Sequence, residues 1–215
     1  MPNRPHLFSD LRSSDNDVLT EHGTIRSYPA NSILINEGDD TDSLYVVMEG
    51  EVKAYASDEN GKEVILNMLG PGEYFGELAL VDSEPRSASV KTMEPTKVMV
   101  IGKHDFKKAL AENPDMAYNM IQSLSRQVRE LTNNVKSLAL MDVYGRVAHT
   151  LLDLATELED GKMVIEQKLT HQDIADMVGA SREMVSRILK DLVNGGYISI
   201  KSKIVTINER LPAGW

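Results

Sequence analysis

Two short stretches hold the residue types that could do chemistry. The first runs from Gly72 through Gly76, Glu77, Leu78, Ala79 and Leu80 to Glu84, Pro85, Arg86, Ser87 and Ala88. It joins a glycine-rich turn, a carboxylate among apolar neighbours and an Arg-Ser pair. Arg86 can neutralise the single charge of a cyclic phosphodiester, while the Ser87 hydroxyl and nearby backbone N–H groups add hydrogen bonds. A ribose hydroxyl needs an acceptor, which Glu77 supplies. A short helix opening near Gly76 would turn its positive end toward the phosphate. For an isolated Glu and Arg, a weak surface ion pair is the plainer account. The whole string favours the anion site.

The second stretch is His171 to Leu192. With His171 as the first position, Ala175 is fifth, Gly179 ninth, Val185 fifteenth and Ile188 eighteenth. That is the register of a helix-turn-helix. A small residue at 175 lets two helices approach, and Gly179 supplies a left-handed turn that a side chain disfavours. Val185 and Ile188 pack the second helix on the first. Thr170 caps the first helix with Asp173 as capping-box partner, and Ser181 caps the second. Arg182, Glu183, Ser186, Arg187 and Lys190 are expected to face outward near the second helix's N-terminus, with Ser181 at its head. That end of a recognition helix meets base edges. Arginine grips guanine and glutamate accepts from cytosine, each good pair discriminating by about 1–3 kcal/mol. Thr170, Gln172 and Lys203 are candidate phosphate contacts, which position without reading sequence. The plainer reading is a helical hairpin with solvated charges.

The elements that must position these residues follow from periodicity. Short runs rich in Val, Ile, Leu and Tyr occupy 24–28, 31–35, 43–48, 51–57, 62–69, 87–92 and 96–102, separated by Gly, Pro and Asn turns. They predict a β-roll, sandwich or barrel. A short helix over 103–111 follows, then a long one that Asn113 caps with Pro114 at its first position. Within it Ala117, Ile121, Leu124, Val128, Leu131, Val135 and Leu138 alternate in steps of four and three, the seam of a two-stranded coiled coil. The alternative is one amphipathic helix lying on the β-domain. A break near Asp142, with Gly145, suggests a hinge before a helix running to Glu159. A strand over 163–167, helices over 170–177 and 181–194, and a small hairpin about Ser202 complete the pattern. The ending LPAGW reads as a loose tail. The fold class is therefore α+β, divided as 1–112, 113–141 and 142–215.

The 215 residues include no cysteine, which excludes disulfides, thiolate zinc sites and cysteine nucleophiles. Five scattered histidines (6, 22, 104, 149 and 171) lack metal-ligand spacing, so no metal is expected. Neither a P-loop string nor a nucleophile–base arrangement is present, and no enzyme is expected. No apolar run is long enough for a membrane span, and the N-terminus lacks a signal-peptide core, so a cytoplasmic protein is expected. The net charge of −10 argues against binding a polyanion. Its distribution matters more: residues 1–141 carry −8 and residues 142–215 only −2. A near-neutral C-terminal part can still present a basic face.

GEYFGELAL with EPRSASV resembles the phosphate-binding cassette of cyclic-nucleotide-binding domains. With LALMDVYGRVAHTLLDLA and LTHQDIADMVGASREMVSRILKDL, it resembles the Crp/Fnr family of regulators over roughly residues 20–208. The resemblance implies an N-terminal cyclic-nucleotide-binding β-roll, a long dimerisation helix and a C-terminal winged helix-turn-helix, assembled as a homodimer. It gives Glu77 the ribose hydroxyl, Arg86 and Ser87 the cyclic phosphate, and Gly76, Leu78, Ala79 and Ala88 the surrounding backbone. It gives Arg182, Glu183 and Arg187 the base edges of TGTGA-like half-sites in double-stranded DNA, about one helical turn apart. RNA polymerase becomes a further expected partner.

There is one departure. The catabolite-activator branch places two adjacent hydroxyl residues of the long helix against the adenine, where this chain has Leu131 and Thr132. Leu131 cannot hydrogen-bond a base, and losing such a bond loses discrimination. Cyclic AMP leads as ligand, with cyclic GMP and cyclic di-GMP as alternatives. Two other functions stay open: a family member that binds DNA without nucleotide, and a nucleotide-sensing regulatory subunit with no DNA role.

Overall fold

The computed structural model describes residues 23–158 and 162–212. Described residues up to Val128 form one compact unit, and those from Arg129 onward form a second.

The first unit carries eight strands: β1 (Thr24–Tyr28), β2 (Ile33–Ile35), β3 (Ser43–Glu49), β4 (Val52–Ser57), β5 (Glu63–Leu69), β6 (Tyr74–Phe75), β7 (Ser89–Thr92) and β8 (Thr96–Gly102). They form two antiparallel four-stranded sheets, ordered β1-β8-β3-β6 and β2-β7-β4-β5. Helix α1 (Glu77–Asp82) lies between β6 and β7, and α2 (Lys103–Glu112) follows β8. The long helix α3 (Pro114–Leu140) begins in this unit.

Alternation along β3 explains why this sheet sits in the middle. Tyr45 and Val47 point to the side where Ile35, Val52, Leu69, Phe75, Val90 and Val98 pack. Leu44 and Val46 point the other way, to Leu80 of α1, Phe106 and Ala109 of α2, and Met116 and Met120 of α3. A strand buried on both faces needs apolar residues at successive positions, which Leu44, Tyr45, Val46 and Val47 provide. Met116 and Met120, four residues apart, anchor the start of α3 on the sheet. The coiled-coil positions lie on another face. Ile121, Val128, Leu131, Val135 and Leu138 are exposed in the single chain, while Ala117 and Leu124 are half-buried. The start of the long helix thus packs in the core of the first unit, while the seam positions from Ile121 onward, Leu124 apart, are exposed.

The second unit contains the remainder of α3, α4 (Val143–Leu154), β9 (Thr156–Glu157), β10 (Met163–Ile165), α5 (His171–Val178), α6 (Arg182–Asn194), β11 (Ile198–Lys201) and β12 (Ile204–Ile207). The strands form an antiparallel sheet ordered β11-β12-β10-β9. Asp142 caps α4, accepting from the Gly145 N–H at 2.7 Å. Arg146 then ties two helix ends together: its Nε donates to Val178 O at 2.8 Å and its Nη1 to Met141 O at 3.0 Å.

Three sequence expectations change. The helix from Asp142 ends at Leu154 rather than at Glu159, because Thr156 and Glu157 pair with Val164 and Met163. Strand β6, inside the glycine-rich string, is unanticipated. The tail is not loose at Leu211 and Pro212: Leu211 is buried, and Pro212 O accepts from the Tyr144 hydroxyl at 3.1 Å. Residues 213–215 lie outside the described residues.

Candidate functional site

Strand β6 delivers the chain to Gly76, whose φ of 83° is left-handed. A β-carbon there would lie 2.5 Å from Arg86 Nη1 and 3.0 Å from Ser43 O. Only glycine permits that approach. Helix α1 starts at the next residue, Glu77, without a side-chain cap.

Arg86 is 3% exposed and is bonded along its whole length. Its N–H donates to Asp39 O at 3.0 Å, and its own carbonyl accepts from the Gly38 N–H at 2.8 Å. Its Nε donates to Thr41 Oγ1 at 2.8 Å, Nη1 to Gly76 O at 2.6 Å and Nη2 to Ser43 O at 2.8 Å. A guanidinium carries five N–H groups, so one on each terminal nitrogen is left over from these bonds. The Tyr45 ring, stacked on Phe75 with centroids 5.0 Å apart, lies 6.0 Å from the guanidinium carbon. Burial lowers the Arg86 pKa from its ordinary value, and Tyr45, Asp42, Glu77 and Asp39 act in the opposite direction.

Glu77 is 5% exposed. Burial pushes its carboxyl up to about 7, against the pull of its own backbone N–H and of Arg86. Tyr74, in the strand just before, is pushed up to about 12 by burial. The surface ion-pair account therefore does not describe this place. Both charged groups are buried, and Arg86 gives its hydrogen bonds to carbonyls and a hydroxyl. Around them Ala79 is buried, Ala88 half-buried, and Leu78 and Ser87 exposed. A buried cation with two N–H groups beyond those bonds, a glycine that admits close backbone approach and a neighbouring carboxyl fit an anionic sugar phosphate. Leu131 and Thr132 are both exposed on α3, in the second unit.

The helix-turn-helix follows its register. Gly179 has φ 64° and caps α5, and Ala175 is fully buried under the second helix. Val185, Ile188, Leu189 and Leu192 bury one face of α6. Thr170 and Asp173 form the complete capping box, and Ser181 Oγ accepts from the Met184 N–H at 3.2 Å. Leu138 approaches the turn itself, its Cδ2 lying 3.5 Å from where a β-carbon on Gly179 would sit.

Arg182, Glu183, Arg187 and Lys190 are exposed on α6, as is Ser181 at its head. Ser186 does not face outward with them. It is half-buried, with its Oγ 2.8 Å from His171 Nδ1, and links the two helices. The polar groups of Thr170 and Gln172 are also engaged: Thr170 Oγ1 donates to Asp173 Oδ2 at 2.6 Å, and Gln172 Nε2 to Asp176 Oδ1 at 2.7 Å. Lys203 stands exposed at the tip of the β11–β12 hairpin. Ser202 and Lys203 there have φ of 51° and 67°, the paired left-handed conformation of a type I′ turn. A groove of about 520 Å³ runs between α5, α6 and this hairpin, with His171, Arg182 and Lys203 among its lining.

Sequence reading missed three contributors. Thr41 and Ser43 lie more than 40 positions from the Arg86 they hold. Met184 is an exposed apolar side chain in the first turn of α6, overlooked because its neighbours are charged. Among the described residues there is no group of three or more side chains suited to a metal ion, and no helix long and apolar enough to cross a membrane.

Fold and site together define a protein with a nucleotide-binding β-roll and a DNA-binding head. The family model of the cyclic nucleotide-binding domain matches residues 25–113, and that of the Crp-like helix-turn-helix domain residues 145–210. The cAMP-activated global transcriptional regulator CRP of Pasteurella multocida is 38% identical, over 86% of this chain and 90% of that protein. The CRP-like cAMP-activated global transcriptional regulator of Mycobacterium tuberculosis is 32% identical, over 96% and 93%. Among solved structures, the c-di-GMP responsive global regulator CLP of Xanthomonas campestris superimposes with a TM-score of 0.80 at 26% identity, covering 92% of this chain and 100% of that one. The chain belongs to the Crp/Fnr family. It is a cyclic nucleotide-responsive, DNA-binding transcription regulator.

Proposed function

We propose that the chain works as a homodimer whose grip on a palindromic operator with TGTGA-like half-sites is strengthened by cyclic AMP. The observation that carries this reading is the Gly76–Glu77–Arg86 constellation. It offers a held, buried guanidinium and a carboxyl beside a glycine whose β-carbon position is already filled. Arg86 and Ser87 take the cyclic phosphate, with the Gly76, Leu78, Ala79 and Ala88 backbone around it. Glu77 takes the ribose hydroxyl, and Leu131 and Thr132 face the base. Arg182, Glu183 and Arg187 read bases. Ser181, Lys190 and Lys203 contact the phosphate backbone, together with Thr170 and Gln172. Their engaged side chains restrict Thr170 to its remaining acceptor capacity and Gln172 to its remaining amide valences. Residues 113–141 dimerise through the exposed seam and separate the sensor, 1–112, from the reading head, 142–215. The ligand acts by binding one arrangement of the dimer better than the other.

A second reading replaces cyclic AMP by cyclic di-GMP. It is favoured by Leu131, which offers a base no hydrogen bond, and by the likeness to the c-di-GMP responsive CLP. Calorimetric titration with cyclic AMP, cyclic GMP and cyclic di-GMP separates the two. Heat from cyclic AMP that vanishes in Arg86→Gln supports the first reading. Heat from cyclic di-GMP alone supports the second, and no heat from any of the three defeats both.

A further inference from the structure

The recognition helix carries an apolar side chain where a polar one would be expected. Val185, Ile188, Leu189 and Leu192 bury one face of α6, and charged residues dominate the other. Met184 belongs to neither group. It is 40% exposed, in the first helical turn, directly after Arg182 and Glu183. Arg187 is three residues on and therefore its neighbour on the helix surface. The Met184 backbone is fixed by its N–H bond to the Ser181 cap. Its side chain is thus held at the end of the helix that meets base edges.

An exposed thioether gains only by meeting another apolar surface. The cations Arg182, Arg187 and Lys190 around it attract a phosphate-lined groove rather than an apolar protein face. In the major groove, the apolar group on the base edges is the C5-methyl of thymine. Methionine's three rotatable bonds and polarizable sulfur suit a contact that must adapt to its target. We infer that Met184 is a specificity residue that packs on a thymine methyl, next to the base pairs read by Arg182, Glu183 and Arg187. This inference rests on the DNA-reading role proposed above.

The test begins with an operator enriched by the wild-type protein from a random duplex library, in parallel selections with cyclic AMP, cyclic GMP, cyclic di-GMP and no nucleotide. Thymines are then replaced by deoxyuridine, one symmetric pair at a time, which deletes only the methyl. Affinity is measured for wild type, Met184→Ala, Met184→Leu and Met184→Gln. One thymine pair is expected at which wild type loses about fourfold per half-site, the value of one buried methyl. At that pair Met184→Ala and Met184→Gln are insensitive to the replacement, and Met184→Leu keeps most of the sensitivity. Thermal midpoints stay unchanged, since the side chain is exposed and the cap uses the main chain. Equal sensitivity of wild type and Met184→Ala at every thymine overturns the inference while leaving the DNA-reading role intact. Failure of wild type to enrich any sequence overturns both.

Discussion

Lowering the pH from 8 to 6 should weaken cyclic nucleotide binding, and Glu77 should be the reason. Its carboxyl is buried and titrates at about 7. The carboxylate is the form that accepts a hydrogen bond most strongly from a ribose hydroxyl. A protein that holds the proton must release it to bind, so apparent affinity falls up to tenfold per pH unit below about 7. At pH 6 binding should be about tenfold weaker than its high-pH limit, and at pH 8 within about a tenth of that limit. The sign for folding is separate. The native pKa lies above the ordinary carboxyl value, so stability from the protonated form is fully present below that ordinary value. It is lost as pH rises through about 7. The neighbouring groups do not confuse the result. Tyr74 is pushed up to about 12, and no histidine lies in the cassette. Calorimetry in two buffers of different ionisation enthalpy counts the protons. It should find close to one released per site at pH 6 and close to none at pH 8. Glu77→Gln keeps an acceptor oxygen but cannot titrate, so its binding should be weaker and flat with pH. A flat wild-type profile, or a slope that survives Glu77→Gln, refutes the assignment.

Three substitutions carry further expected outcomes. Arg86→Ala strands the carbonyls of Gly76 and Ser43, and should cost about 3 kcal/mol; scanning calorimetry should show a lower midpoint for the first unit even without ligand. Lys203→Gly relieves a left-handed side chain and should raise stability by about 1 kcal/mol. The same change should lower the slope of log affinity against log salt by about one per subunit, measured by operator titration. Val135→Asp, at an exposed seam position, should leave the folded chain unchanged while weakening dimerisation about a hundredfold or more, as read by sedimentation equilibrium.

The parts legible in the sequence are those governed by local periods. The unbroken apolar run Leu44 to Met48 marks β3, and the small residues at 175 and 179 set the helix-turn-helix. Thr170 and Ser181 cap their helices as the sequence leads one to expect. What escaped depends on distant partners. The helical pattern beyond Leu154 yields to strand pairing of Thr156 and Glu157 with Val164 and Met163. Ser186 sits on a helix surface whose pattern suggests solvent, yet His171 on the preceding helix claims it. The importance of Arg86 and Glu77 could be read from their neighbours in sequence. The acceptors Thr41 and Ser43 could not, because only folding of the sheet brings them to Arg86.

The most direct test of the whole account is fluorescence anisotropy of a selected operator duplex, titrated with the protein. The measurement is repeated without nucleotide and with saturating cyclic AMP, cyclic GMP or cyclic di-GMP. Ligand-gated reading predicts at least a tenfold gain in affinity with cyclic AMP, a coupling of about 1.4 kcal/mol. Equal affinity under all four conditions contradicts it.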